Sequence, residues 1–390
     1  MKFYVDSSIF KSAMERAVTV TRKKGALPFI HRIKLVADQE SNIVCIAASN
    51  IETWVKIYCN TGMTVNVVES GEMFLDTDTI KRLFNVTGYV QIYSGENQLL
   101  YAKNDKKAAK IQAVADTDFP DFPGLKDKIH VAEVDKDDFL GTMENMQYFV
   151  SDNEARPVYT CVNLNSGEKR MSAVSGYHLL DRAVDWSFFN EESINIPILA
   201  LKELKKISSK GNDNFSLELC EKKKYLRVVG SDFEYFIHLV EGVFLNVEKS
   251  FPYSTACEFS LDTEKLANVA KEYTSYNSAQ NKLPMYFARK GYDLAAVYRS
   301  MDFETCDVMI GSFKDLPEGY VIAMNPDYMK NVADVFKKFG VSVTVKCENN
   351  SHTPWMFYGD NGYRALVLPV RMREDAADAI FSMLGELIAA

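Results

Sequence analysis

Nowhere in these 390 residues is there a run approaching the roughly eighteen apolar residues of a membrane-spanning helix. The opening Met1-Lys2-Phe3-Tyr4-Val5-Asp6 also lacks the charged head and apolar stretch of a signal peptide. Both absences lead us to expect a soluble, cytoplasmic protein with no membrane partner. Paired cysteines are missing too: Cys45, Cys59, Cys161, Cys220, Cys257, Cys306 and Cys347 are widely spaced, and none forms the C-x-x-C pair of a zinc knuckle or redox site. They read as reduced thiols packed as small apolar residues. Positive charge is in deficit, with 45 Lys and Arg against 53 Asp and Glu and a formal net charge of −8. That excludes a protein coating nucleic acid with its whole surface, while leaving room for a local basic track. Catalytic signatures are absent as well: there is no G-x-x-x-x-G-K-S/T, no H-E-x-x-H and no G-x-S-x-G. The five histidines, His31, His130, His178, His238 and His352, are scattered. No catalytic residue, metal or cofactor is therefore expected.

What is present is a pattern that occurs three times. Each copy opens with a short strand, an acid at the helix start and apolar residues at helical spacing. The first runs from Phe3 to Val20 (Ile9, Phe10, Ala13, Met14, Ala17), the second from Val131 to Val150 (Phe139, Leu140, Met143, Met146). The third runs from Phe259 to Tyr273 (Leu261, Leu266, Val269, Ala270, Tyr273), and Asp6, Asp135 and Asp262 are the expected caps. A second helix recurs after alternating strands such as Ile43–Ile46 and Arg170–Val174, predicted over Asp76 to Thr87, Pro197 to Lys210 and Asn325 to Gly340. Copies about 130 residues apart are domains, not solenoid repeats. Proline-bearing joints lie at Asp116 to Asp127 and Glu248 to Ser254. We expect domains at 1–124, 125–252 and 253–372, each α+β with two helices on antiparallel sheets, and a helical extension at 373–390.

The second helices are basic on one side. Lys202, Lys205, Lys206 and Lys210 oppose Ile198, Leu201, Leu204 and Ile207; Lys330, Lys337 and Lys338 oppose Tyr328, Val332, Val335, Phe336 and Phe339. Lys81 and Arg82 sit beside Ile80, Leu83 and Phe84, and Arg22-Lys23-Lys24 closes the first helix. One such stripe is ordinarily a solvated face. Repeated in three domains, it suits a track that holds duplex phosphates without reading bases and weakens steeply with salt.

Several segments, each weak alone, are collinear: Met1-Lys2-Phe3; Leu27-Pro28; Ser49-Asn50-Ile51-Glu52; Asp118-Phe119-Pro120-Asp121-Phe122-Pro123; and Ser151-Asp152-Asn153-Glu154-Ala155-Arg156-Pro157-Val158. In this order the chain resembles the bacterial DNA polymerase III β sliding clamps over about residues 1–372. The resemblance implies a DNA clamp fold, with each chain forming half of a closed homodimeric ring around double-stranded DNA. It implies a non-enzymatic processivity factor that docks DNA polymerase, clamp loader and repair proteins through short peptides. Having no phosphate loop, the ring would need a separate ATP-driven loader.

The family's peptide pocket lies between the second and third domains. Its A-T-D-G-H-R-L wall corresponds to Ala173-Val174-Ser175-Gly176-Tyr177-His178-Leu179, its G-R-F-P-D-Y stretch to Gly242-Val243-Phe244-Leu245-Asn246-Val247, and its M-P-M-R-L end to Leu368-Pro369-Val370-Arg371-Met372. Tyr159 falls at a wall, Tyr328 at a gating tyrosine and Pro354 at the rim, with Leu366 also in the pocket. Most polar family residues are replaced, so the pocket stays apolar and its preferred peptide differs. Ring closure is implied between an edge strand near Ala109 and Ile111 and a surface near Ser275 and Tyr276.

Four alternatives stand beside this reading. A pocket-facing His178 would make peptide binding pH dependent near its ordinary pKa of about 6.5, against an ordinary hydrogen-bonded histidine. The tail, with Ala376, Ile380, Phe381, Leu384 and Leu387 on one side, either packs on its own domain or borders the pocket. Asp116, Asp118 and Asp121 are the one carboxylate group that could hold magnesium for nuclease chemistry. A clamp-like fold that does not encircle DNA is the remaining possibility.

Overall fold

The computed structural model describes residues 1–22, 28–59, 65–115, 118–208, 214–251, 255–278, 282–373 and 375–389. They form two compact units, Met1–Met143 with Trp186–Glu241, and Glu144–Asp185 with Gly242–Ala390. Seven α-helices lie among the described residues: α1 Ser7–Val18, α2 Thr77–Ile80, α3 Lys136–Met146, α4 Ile198–Ile207, α5 Thr263–Tyr276, α6 Pro326–Phe336 and α7 Ala376–Ala389.

The strand-to-helix entry recurs as expected. Asp6, Asp135 and Asp262 end the strands Lys2–Asp6, Ile129–Asp135 and Cys257–Asp262, and their carboxylates accept from the backbone N–H of Ser8, Asp138 and Lys265 at 2.8, 2.8 and 2.6 Å. Each cap satisfies a helix donor that would otherwise be orphaned. The apolar stripes face inward: Phe10, Ala13, Met14 and Ala17 on α1, and Ile198, Leu201, Leu204 and Ile207 on α4, are buried.

One helix departs from expectation. The segment predicted as Asp76 to Thr87 gives only α2 and a 3-10 turn, Leu83–Asn85. Asp76 does cap it, but Thr77, Thr79, Asn85, Val86 and Thr87 are poor helix formers, and the tight turn keeps Ile80 and Leu83 both buried. α6 also stops early, at Phe336, leaving Phe339 half-exposed and stacked on Tyr363.

All sheets are antiparallel. In the first unit the order Val65–Glu69, Lys2–Asp6, Tyr89–Ser94, Leu99–Lys103, Ala108–Gln112 makes one sheet, with Ala108–Gln112 at its edge. The second sheet there contains Asn214–Cys220, Tyr225–Val229, Phe233–His238, Thr53–Tyr58 and Ile43–Ser49 in that order, and Phe236 faces Trp54 where the two halves join. The second unit repeats this join, with His178–Ala183 beside Tyr363–Val367 and Leu180 opposite Ala365. Its other sheet runs Glu304–Val308, Asp293–Arg299, Met285–Lys290, Val321–Met324.

The strand Asp293–Arg299 is buried at five consecutive positions, which an alternating half-buried strand cannot show. The cause is α7. Ile380, Met383 and Leu384 close over Ala288, Ala295, Val297 and Val321, with Tyr286, Cys306, Met372 and Phe381 at the margin. The tail thus packs on its own sheet, with Met372 of the expected pocket segment at its margin. Met383 was not among the residues expected to face inward, and the Leu387 side chain lies outside the described residues. The cysteines are free, five of them buried. Burial pushes the thiols of Cys45, Cys59 and Cys347 up to about 12, as inert packed groups require.

Candidate functional site

In the second unit, residues far apart in sequence meet in one apolar floor. Val174 ends the strand Arg170–Val174, Leu179 and Leu366 stand opposite each other in register, and Val247 enters just before the 3-10 turn Glu248–Ser250. Together with Phe251 and Met356 they form a buried cluster, against which Tyr159, Phe244 and Tyr358 pack half-buried. The Tyr159 and Phe244 rings meet edge to face, 6.2 Å apart. Gly242 turns the chain into this segment at φ +136°, and a Cβ there would approach Val158 Cγ2 to 2.7 Å, so the turn requires glycine.

A buried ion network holds the segment down. Asp181 is fully buried; its carboxylate accepts from Ser172 Oγ at 2.6 Å and Arg364 Nε at 2.6 Å and pairs with Arg170. Arg364 then reaches Glu248 and lies over the Phe251 ring, 4.3 Å from its centroid. The Arg364 hydrogen bond holds the Glu248 carboxyl below its ordinary value. One guanidinium therefore couples the floor strand to the incoming loop, a geometry the planar fork suits.

Beside the floor stands an aromatic stack. His178 is buried, with its ring 4.1 Å from Tyr328, on the first turn of α6, and 4.7 Å from Phe149; Tyr177 is exposed and stacks on Tyr328 at 6.3 Å. Nε2 lies 2.9 Å from the Tyr148 carbonyl, which only accepts, so Nε2 carries the proton and Nδ1 accepts from Ser175 Oγ. Desolvation lowers the His178 pKa to about 4. Its burial and its two ring hydrogen bonds are those of the ordinary hydrogen-bonded histidine.

The other expected pocket residues are placed differently. Gly176 takes φ +99° in the loop before His178. Leu245, Leu368, Val370 and Arg371 are exposed, and Pro354 and Pro369 half-buried. The Leu368 N–H donates to Tyr177 O at 2.9 Å and the Val370 N–H to Ala323 O at 2.8 Å, which fixes this strand end. Met372 packs in the α7 cluster. Phe244, which packs on the floor against Tyr159, was not expected there; an aromatic between Val243 and Leu245 is its signal in the sequence.

On α4, Lys202, Lys205 and Lys206 are exposed opposite the buried stripe, and Lys81 and Arg82 are exposed after α2. Arg22 pairs with Glu52 at 2.5 Å. Lys330 and Lys337 both bind Asp334, at 3.3 and 2.5 Å, and Lys338 donates to Asn145 Oδ1 at 2.6 Å. Burial would raise the Asp334 carboxyl, but Lys337 and Lys330 hold it below its ordinary value. Lys23, Lys24 and Lys210 lie outside the described residues.

Two sheet edges are open within their units. Ala109 and Ile111 lie on Ala108–Gln112, Ala109 half-buried and Ile111 buried. Ser275 and Tyr276 end α5, with the Tyr276 ring 5.0 Å from Phe303, next to the edge strand Glu304–Val308. Phe303, Val308 and Met301 are exposed apolar residues there, with no counterpart among the expected interface residues. Asp118 and Asp121 are exposed, while Phe119 and Phe122 anchor their segment on Phe74 and Phe236. Asp116 lies outside the described residues, and among those described no group of three or more His, Cys, Asp or Glu is placed to hold a metal. Nor is any helix among them long and apolar enough to cross a membrane.

No family model matches the chain. A relative named as a beta sliding clamp, from Halalkalibacterium halodurans, is 21% identical over 276 residues, covering 68% of this chain and 71% of the relative. The crystal structure of the DNA polymerase sliding clamp from Bacillus subtilis superposes with a TM-score of 0.86 at 16% identity, over 96% of this chain and all of that one. The Streptococcus pyogenes DNA polymerase β subunit gives 0.84 at 14% identity, over 95% of this chain. The four antiparallel sheets, the recurring capped helices and the sequence relative agree: this chain has the DNA clamp fold over nearly its whole length and is related to the β sliding clamps.

Proposed function

We propose that this chain is a DNA polymerase processivity factor, a non-catalytic, cytoplasmic sliding clamp that closes as a homodimeric ring on duplex DNA. The observation that carries this is the match along 96% of this chain to the whole of a solved sliding clamp. Six strand-to-helix entries in chain order, α1 to α6, support a division into three domains at 1–124, 125–252 and 253–372. Lys81, Arg82, Lys202, Lys205, Lys206, Lys330, Lys337 and Lys338 would contact phosphates without base readout. The floor of Tyr159, Val174, Leu179, Phe244, Val247 and Leu366 would seat apolar side chains of peptides from polymerase, loader and repair proteins. The open edges Ala108–Gln112 and Glu304–Val308 would pair head to tail between two chains, hiding both.

The test is loading onto nicked circular plasmid by a cognate ATP-driven loader, followed by linearisation. Clamps held topologically are lost from the linear product. Retention after linearisation would mean surface binding and overturn the ring.

A further inference from the structure

The first unit repeats the backbone framework of the second unit's floor, bond for bond. Arg22 N–H donates to Ile30 O at 2.9 Å as Ser151 N–H does to Tyr159 O at 2.7 Å. Asn50 N–H donates to Thr53 O and Ser175 N–H to His178 O, both at 3.1 Å. His238 N–H donates to Glu52 O at 2.8 Å and Leu368 N–H to Tyr177 O at 2.9 Å; Val240 N–H to Asn195 O at 3.1 Å matches Val370 N–H to Ala323 O at 2.8 Å. These pairs make Thr53 the counterpart of His178. The third residues of α4 and α6, Ala200 and Tyr328, become counterparts in turn.

The side chains differ where it matters. Tyr328 stacks on His178 in the second unit, but in the first a methyl group stands opposite a threonine, so no ring fills the space. What remains is a groove of about 820 Å³. One wall is apolar: Pro197, Leu199, Ala200, Ile237, Leu239 and Val240. Leu199 is 64% exposed there. The other wall carries Arg22 and Glu52, paired with each other, and Lys202 and Lys206, which make no ion pair among the described residues. Glu203 lies at the base, its carboxylate accepting from Tyr235 Oη at 2.7 Å and Thr53 Oγ1 at 2.8 Å and so turned away from a ligand.

We propose that this groove is a second peptide-docking site, taking an extended peptide with one bulky apolar side chain and a nearby carboxylate. The apolar group would lie on Leu199 and Leu239, and the carboxylate between Lys202 and Lys206. Charge complementarity selects this occupant: the two lysines offer donors that the groove itself does not use. The kind of ligand rests on the reading of the second unit's floor as a peptide seat; the cavity and its charges do not.

The probe is a pair of acetylated hexapeptides with leucine at the third position and either aspartate or lysine at the fifth, added to the full chain with methyl-labelled Leu and Val. The aspartate peptide shifts the Leu199 and Leu239 signals and binds at least about tenfold more tightly than the lysine peptide. Leu199→Asp, at an exposed position, abolishes those shifts while leaving shifts at Val174, Leu179 and Leu366 in place. Shifts confined to Val174, Leu179 and Leu366 would overturn the second site and leave the first reading standing. Silence at both sets overturns both. Leu199 and Leu239 signals that a short DNA duplex moves and that neither peptide moves would assign the groove to nucleic acid and overturn the proposal.

Discussion

His178 gives the sharpest quantitative prediction, because its environment sets both a pKa and a stability profile. Its pKa falls from an ordinary 6.5 to about 4 in the fold. Between those values the unfolded chain binds the proton and the folded one does not. Folding therefore keeps its full stability above about pH 6.5 and loses part of it as pH falls toward 4. At 1.36 kcal/mol per pKa unit the full loss is about 3 kcal/mol, and about 2 kcal/mol between pH 7 and pH 4.5. His178→Gln removes the titrating group, so the stability difference between native and variant, from urea denaturation, narrows by that amount over the same range. Histidine NMR reads the origin directly: the His178 signal remains that of the neutral Nε2–H tautomer down to pH 5. Peptide affinity at the second unit's floor is flat from pH 5.5 to 8 as far as this residue contributes. A His178 titration centred near 6.5, or an unchanged stability difference across pH, would refute the reasoning.

Replacing Lys202, Lys205 and Lys206 by alanine should reduce the salt slope of DNA binding by up to about 2.7, from about 0.9 per phosphate contact, by fluorescence anisotropy. The pair Lys330→Ala and Lys337→Ala should cost less slope, because Asp334 already offsets those charges. Leu384→Ala should destabilise the chain by about 2–5 kcal/mol in denaturant titration, yet leave peptide affinity at the floor unchanged. Arg364→Leu strips one of two cations from buried Asp181 and should cost about 3–5 kcal/mol, weakening peptide binding as the Glu248 loop loosens. Phe303→Asp should shift the chain from dimer to monomer in sedimentation.

Much of this was legible in the sequence because the signals were local. An acid before an apolar stripe at 3.6 spacing specifies a capped helix wherever it occurs, which is why Asp6, Asp135 and Asp262 read correctly one by one. The floor was harder. Val174, Leu179 and Leu366 come from strands paired across nearly 190 positions, and only the alignment of collinear segments brought them together. The choice between the two readings of His178 was out of reach for a related reason: burial against Phe149 and Tyr328 is a property of the packed stack and leaves no trace in neighbouring residues. The groove at Ala200 was invisible, since a missing aromatic ring has no pattern until its counterpart is known. α2 failed on propensity, where threonines and an asparagine outweighed a correct cap.

The helix laid over Ala288, Ala295, Val297 and Val321 also has a meaning for variation. Two alanines set how near α7 can lie to the strands, and any larger side chain there forces helix and sheet apart. Positions that would face water in an uncovered sheet have instead become spacers. Among chains of this fold, small apolar residues at these four places should travel with a covering helix, and polar ones with its absence. The sheet's outer face thus records, in its own composition, whether something lies on top of it.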